Sequence, residues 1–213
     1  MAAADLRWPK VLTDKFSAKI ILMLVKFLRN LLGAWNGLLS FFRLLKPRLL
    51  GLRTGSNVHV GGGIEWPLGN VKNIRVGENV RLGKRGWFYI PLSNRQATIQ
   101  IGSGTAIGND FVISSNDQIQ IGNDCLISYR VSILDHSHVT GWEIKPTTSG
   151  LTAGRPIKIG DGCFIGCGAV IHPGVELGPN CIVEANSVVM RSFPAGSVVS
   201  GSPARLLRLI GNS

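Results

Sequence analysis

Residues 133–142 read ILDHSHVTGW and set an aspartate and two histidines within four positions. An imidazole changes protonation near neutral pH. With one ring nitrogen held by a carboxylate, the other can take a proton from a hydroxyl. That chemistry would need Asp135 or another acceptor beside His136 or His138. The same residue types also bind zinc. A third use is purely structural, since His is enriched among non-glycine residues at positive φ and serves in tight corners. The surrounding elements must decide between a base, a metal site and a turn.

Those elements belong to a chain of 213 residues with 45% hydrophobic and 16% charged side chains. One large domain with a short appendage is the natural division, and wholesale disorder is excluded. Cysteines at 125, 163, 167 and 181 follow no Cys-x-x-Cys spacing, which excludes a zinc ribbon. The net charge is +11, and Arg7, Lys10, Lys15, Lys19, Lys26 and Arg29 concentrate much of it near the start. An anionic partner for that end is implied.

Residues 1–50 form an α-helical, apolar and basic segment, apolar with interspersed cations from residue 17 onward. Its longest uncharged run, Asn30–Phe42, is short of the ~20 residues a spanning helix needs. A signal peptide fits poorly, because the apolar part starts late and carries charges. A helix lying on an anionic membrane surface fits better, with packing as a cap or oligomer contact as the alternative. Nucleic acid is disfavoured: Leu and Phe outnumber the cations and no reading motif occurs.

From residue 58 to 200 the chain repeats in hexads. Twelve hexads, starting from Ile101 to Val189, all begin with a branched aliphatic residue, and fainter copies start at Val76 and Leu82. A period of six has no helical rhythm. The fifth position is often small, as at Thr105, Cys125 and Cys163, and lies two residues from the next aliphatic, so both face one side of a strand. The fourth position holds Gly, Asn or Asp at 104, 110, 116, 124, 162, 168, 174, 180 and 186, types that tolerate positive φ. Three strands and three corners make an 18-residue triangular coil, and coils stack ~4.8 Å apart. The expected fold is mainly β, a parallel β-helix interrupted by a loop at 139–158 and followed by a tail at 201–213. Cys163 and Cys181 should stack inside it as core thiols. His136 falls on a corner, where a turn is the simplest reading. His138 flanks the inward Ser137 and should point outward, available for chemistry or merely solvated.

The hexads, the His-bearing coil before a loop, and the ending SVVMRSFPAGSVVSGSPARLLRLI resemble the hexapeptide-repeat acyltransferases, whose fold is a left-handed parallel β-helix. The ending is similar to that of maltose, galactoside and polysaccharide O-acetyltransferases, where Gly-Asn-Pro-Ala-Lys/Arg is usual; Ser202 replaces the Asn. The resemblance implies His138 as general base, Asp135 as a candidate for orienting it, and acetyl-CoA as co-substrate without a metal. It implies CoA contacts at Phe164, Cys167, Ala185, Met190, Arg191, Arg205 and Arg208. Met190–Arg191 replaces a common Thr-Lys pair, which removes a hydroxyl and keeps the cation. Asn116, Asp117, His136 and Trp142 are the acceptor-side candidates; Trp142 is suited either to stacking on a sugar or to anchoring the loop base.

These implications add up to an O-acetyltransferase acting on a saccharide or lipid-linked glycan in surface polysaccharide biosynthesis. It would work as a homotrimer, peripheral on the inner face of the cytoplasmic membrane. The alternatives are a γ-type carbonic anhydrase-like metalloenzyme, for which no third His is convincingly placed, and a non-catalytic membrane-associated trimeric scaffold.

Overall fold

An aliphatic residue at every sixth position can be buried throughout only if the chain turns a corner within each hexad. The computed structural model describes residues 15–143, 145 and 149–211 and shows that winding. Its strands run in three sheets of six, eight and five strands, parallel except for the last pairing. The fold is a left-handed parallel β-helix of about 6 turns. One interior row runs Ile101, Ile121, Ile159, Leu177. A second runs Leu82, Ile107, Ile127, Ile165, Val183, Val199. The third runs Ile113, Ile133, Ile171, Val189. All are buried, so like side chains stack on like down the prism axis. Fully burying each is worth roughly 1.5–3 kcal/mol.

The 18-residue coil describes only the C-terminal turns, where Phe164 pairs with Ile182. Earlier, Ala106 pairs with Leu126, 20 residues on, and Arg81 with Ala106, 25 on. In the 20-residue coil, Gln118–Ile121 is a four-residue strand with Ile119 and Ile121 both buried. Two added residues preserve the in–out alternation, so the register survives.

Eight of the nine anticipated fourth-position corners have positive φ, from Gly104 to Asn186. Asn116 and His136 do not, while Arg130 does at 58°. The turn reading of His136 is therefore incorrect. After Ser115 and at Asp135 the backbone directs polar groups inward, and hydrogen bonds replace the tight corner there.

Within 201–213, residues up to 211 are described and carry a further strand. Ala204–Leu209 forms a strand antiparallel to Ser197–Gly201 and closes that end of the eight-stranded sheet. At the other end, helix α1 spans Lys15–Leu49, with Lys46 and Arg48 in its last turn, where cations favour the helix dipole. Gly51 at φ 101° ends it, and the Leu52 N–H bonds back to the Pro47 carbonyl, a left-handed cap. The chain divides into two units, residues up to Leu39 and residues from Ser40 onward. Within the second, Leu44 is buried and the Val60 N–H donates to Ser40 Oγ at 3.1 Å. The coils thus begin before residue 58, with Arg53–Thr54 already paired to Arg75–Val76. Within the first unit, Leu24, Phe27, Leu28, Leu31, Leu32 and Trp35 are exposed. Among the described residues, no helix is long and apolar enough to cross a membrane.

Candidate active site

Strand Ser132–Leu134 delivers Asp135 to the prism interior. Its carboxylate is fully buried and accepts four hydrogen bonds. Oδ1 takes the Asn116 N–H at 2.7 Å and His136 Nδ1 at 2.8 Å. Oδ2 takes the Ser115 hydroxyl at 2.7 Å and the Asp117 N–H at 2.9 Å. Burial by itself would raise this carboxyl. The bonds from His136, Asn116, Ser115 and Asp117 outweigh that and hold it below the ordinary carboxylate value. An ionised carboxylate only accepts, so His136 Nδ1 carries the proton. Nε2 is then the acceptor when the ring is neutral, 3.4 Å from Ser114 Oγ. Ser114 pairs in register with Tyr89 on the preceding coil.

Asp135 is therefore committed to His136 and does not orient His138. His138 is exposed, at the point where the chain leaves the repeat. The excursion returns as a short antiparallel ladder. The Thr152 N–H donates to the Ser137 carbonyl at 2.8 Å, the Val139 N–H to the Gly150 carbonyl at 3.1 Å, and His138 lies opposite Leu151. Residues directly opposite across a ladder present their side chains to the same face. Leu151 lines a groove of about 640 Å³, together with Pro67, Leu68, Tyr89, Pro91, Leu92 and Asn116. His138 is exposed opposite the groove-lining Leu151, but neither His138 nor His136 is itself among the residues that line the groove.

Asn116 enters the groove wall with its amide fixed: Nδ2 donates to the Thr152 carbonyl at 2.9 Å, and Oδ1 accepts from Asn94 Nδ2 at 3.1 Å. Asp117 is exposed beside it. Trp142 is 102% exposed, so it does not anchor the loop base. The groove's other walls, Pro67–Gly69 and Ile90–Ser93, lie in stretches without hexads, and no periodic signal marked them.

The residues expected to contact CoA lie on the C-terminal coils and the closing hairpin. Phe164 pairs with Ile182, and the Cys167 carbonyl accepts the Asn186 N–H at 2.8 Å, which stacks the corner of Cys167 on that of Ala185. Ala185, Met190, Arg191, Arg205 and Arg208 are exposed. Arg191 rests its guanidinium 5.2 Å from the ring centroid of Phe193. Arg208 pairs with Val198, and Arg205 with Ser200, on the closing hairpin. Tyr129 was not anticipated; its hydrogen bond with Cys167 pushes the phenol up. Among the described residues, no three His, Cys, Asp or Glu side chains gather as metal ligands.

Residues 156–191 match the model of the hexapeptide repeat of succinyl-transferase. The Escherichia coli K12 protein provisionally described as a lipopolysaccharide biosynthesis O-acetyl transferase, WbbJ, is 30% identical over 189 residues, 81% of this chain and 89% of that protein. The chain belongs to the hexapeptide-repeat acetyltransferases. Among solved structures of such acetyltransferases, VCA0836 of Vibrio cholerae O1 biovar eltor, complexed with acetyl coenzyme A, is 31% identical with a TM-score of 0.55. That match covers 64% of this chain and 70% of VCA0836. The chain spans about half the length of several curated relatives: 57% of the Saccharomyces cerevisiae protein YJL218W, provisionally described as an acetyltransferase and 32% identical over 54% of this chain. For a hexapeptide-repeat acetyltransferase, exposed Arg205 and Arg208 suit phosphate binding, because a guanidinium donates in a fixed fork.

Proposed function

We propose that this protein moves an acetyl group from acetyl-CoA to a saccharide hydroxyl in the assembly of a surface polysaccharide. The observation that carries the reading is the exposed His138, paired across the ladder with the groove-lining Leu151 and outside the buried Asp135 network. A hydroxyl is a weak nucleophile at neutral pH. Neutral His138 takes the hydroxyl proton as the oxygen attacks the thioester carbonyl carbon. The C–S bond then breaks, the thiolate of CoA leaves, and the imidazolium returns the proton to sulfur. The products are an acetyl ester and free CoA, with no acyl-enzyme.

The chain's own residues supply position. Phe164, Cys167, Ala185 and Met190 take the pantetheine arm, and Arg191, Arg205 and Arg208 take the phosphates. Asn116 and Asp117 hold the acceptor from the groove side, and Trp142 offers a stacking face to a sugar or to a neighbouring subunit. The working form is a homotrimer with sites between subunits. The complex of VCA0836 with acetyl coenzyme A supports the choice of donor, and the name given to WbbJ supports a saccharide acceptor.

The exposed apolar face of α1, with Lys26 among its cations, supports a peripheral location on an anionic leaflet. A second assignment of the base, His136, has one specific observation in its favour, the 2.8 Å bond to Asp135. Release of free thiol from acetyl-CoA across a panel of sugars tests the activity. Turnover that survives His138→Ala and fails with His136→Ala would move the base to the buried pair.

A further inference from the structure

A second cavity of about 420 Å³ shares Leu68 with the groove described above and continues beyond Trp66. Its chemistry is different. Two cations from the last turns of α1, Arg43 and Lys46, line it together with Gly61, Gly63 and Trp66. Arg43 is held rather than floating: Nη1 donates to the Val60 carbonyl at 2.8 Å, which leaves its other donors uncommitted. The Lys46 ammonium makes no hydrogen bond or ion pair among the described residues. Glu65 is the one carboxylate in the lining. Trp66 stacks one face on Phe88, with centroids 4.9 Å apart, and stays half-exposed on the cavity side.

Three glycines in a row, Gly61, Gly62 and Gly63, adjoin this cavity. A Cβ at Gly61 would lie 2.5 Å from the Gly83 backbone, and Gly63 sits at φ 73°. Gly62 has neither constraint. A Cβ there would meet only the Arg43 guanidinium, at 3.5 Å. Gly62 does not itself line the cavity, but its missing side chain keeps that guanidinium uncovered on the Gly62 side.

We propose that this cavity binds the phosphate or diphosphate of the acceptor, so that the substrate is a phosphate-linked saccharide rather than a free sugar. The saccharide occupies the groove at Tyr89, Asn116 and Leu151, and the phosphate reaches past Leu68 to Arg43 and Lys46. Trp66 packs against whatever the phosphate is esterified to. Two cations against one carboxylate give the cavity the sign that a diphosphate requires. The proposal rests on the acetyl-transfer reading for its meaning but is measured separately from it.

Calorimetric titration of the full-length chain uses three probes: methyl N-acetylglucosaminide, UDP-N-acetylglucosamine, and farnesyl-diphosphate-linked N-acetylglucosamine. At least one diphosphate probe is expected to bind tenfold or more tightly than the methyl glycoside. Which of the two does so identifies the source as a nucleotide or a lipid carrier. Lys46→Gln and Gly62→Asp, neither of which removes a bond of the fold, are each expected to erase most of that advantage. Equal affinity for all three probes, or an advantage untouched by both variants, overturns the proposal. So does a tenfold loss of CoA affinity in Lys46→Gln, which would make the cavity part of the donor site. A chain that binds a diphosphate probe at Lys46 yet releases no thiol from acetyl-CoA keeps this site and loses the transferase reading.

Discussion

The Asp135 carboxylate lies 2.8 Å from Nδ1 of His136 and accepts three further bonds, so none of its capacity is left for His138. Two histidines two positions apart thereby receive different surroundings, one bonded to a buried carboxylate and one exposed opposite a groove-lining leucine.

Removing the acceptor at the centre of that network should cost stability. Asp135→Ala leaves the Asn116 and Asp117 N–H groups without a partner and the Ser115 hydroxyl with only the Thr98 carbonyl at 3.1 Å, an expected loss of about 3 kcal/mol. Urea unfolding reads it as a lower midpoint with an unchanged slope. A loss below 1 kcal/mol would mean that water reaches the site and that the network is not dry.

The same carboxyl makes a pH prediction. Its folded value is depressed, so its contribution is fully present above the unfolded value of about 3.9 and drains away as pH falls through the folded value. Wild type should lose melting temperature progressively as pH falls below about 4. Asp135→Asn should start lower and lose less over that window. Parallel melting curves for the two would assign the acid sensitivity to other groups.

His138→Ala should lower acetyl transfer by about 10²–10⁴-fold, the usual worth of a general base, while CoA still raises the melting temperature. His136→Ala should act mainly on stability, because its ring is the partner of Asp135. Equal loss of turnover in both variants at unchanged stability would sink the division of roles.

Of the four thiols, Cys125, Cys163 and Cys181 are buried and Cys167 is half-exposed. Burial pushes the Cys125 thiol up, which further slows its reaction. Brief treatment with N-ethylmaleimide should label Cys167 first, as peptide mass analysis would show, and CoA should slow that labelling. Early labelling at Cys163 or Cys181 would show the prism opening.

Membrane attachment should follow residues 1–39. Deletion to residue 39 should abolish sedimentation with phosphatidylglycerol vesicles and leave the β-helix folded by circular dichroism. Deletion to residue 50 tests the wrong thing, since it also removes Ser40 and Leu44, which pack on the first coils. Retained vesicle binding after the shorter deletion would locate the contact elsewhere.

The hexads alone determined the prism, because a strand has a period of two and burial repeats every coil. Any chain with Ile113, Ile133, Ile171 and Val189 so spaced has few other ways to hide them. The inward thiols and eight glycine, asparagine and aspartate corners were legible for the same local reason, that φ > 0 and small volume are properties of single residues. Coil length was not, because a two-residue addition such as that in Gln118–Ile121 changes no local preference and is accommodated by the pairing across coils.

The site divides the same way. Sequence singled out Asp135, His136 and His138 by type and spacing, and His138 by its place beside Ser137, which the hexad spacing sets inward but the structure leaves exposed. Tertiary structure alone decided that Asp135 turns inward to four donors, three of them from the preceding coil. It also brought Pro67, Tyr89, Pro91 and Leu151 around one groove. A hydrogen bond or a wall made by residues some 20 to 80 positions apart has no signature in either segment; it exists only once stacking has fixed how the coils lie on one another.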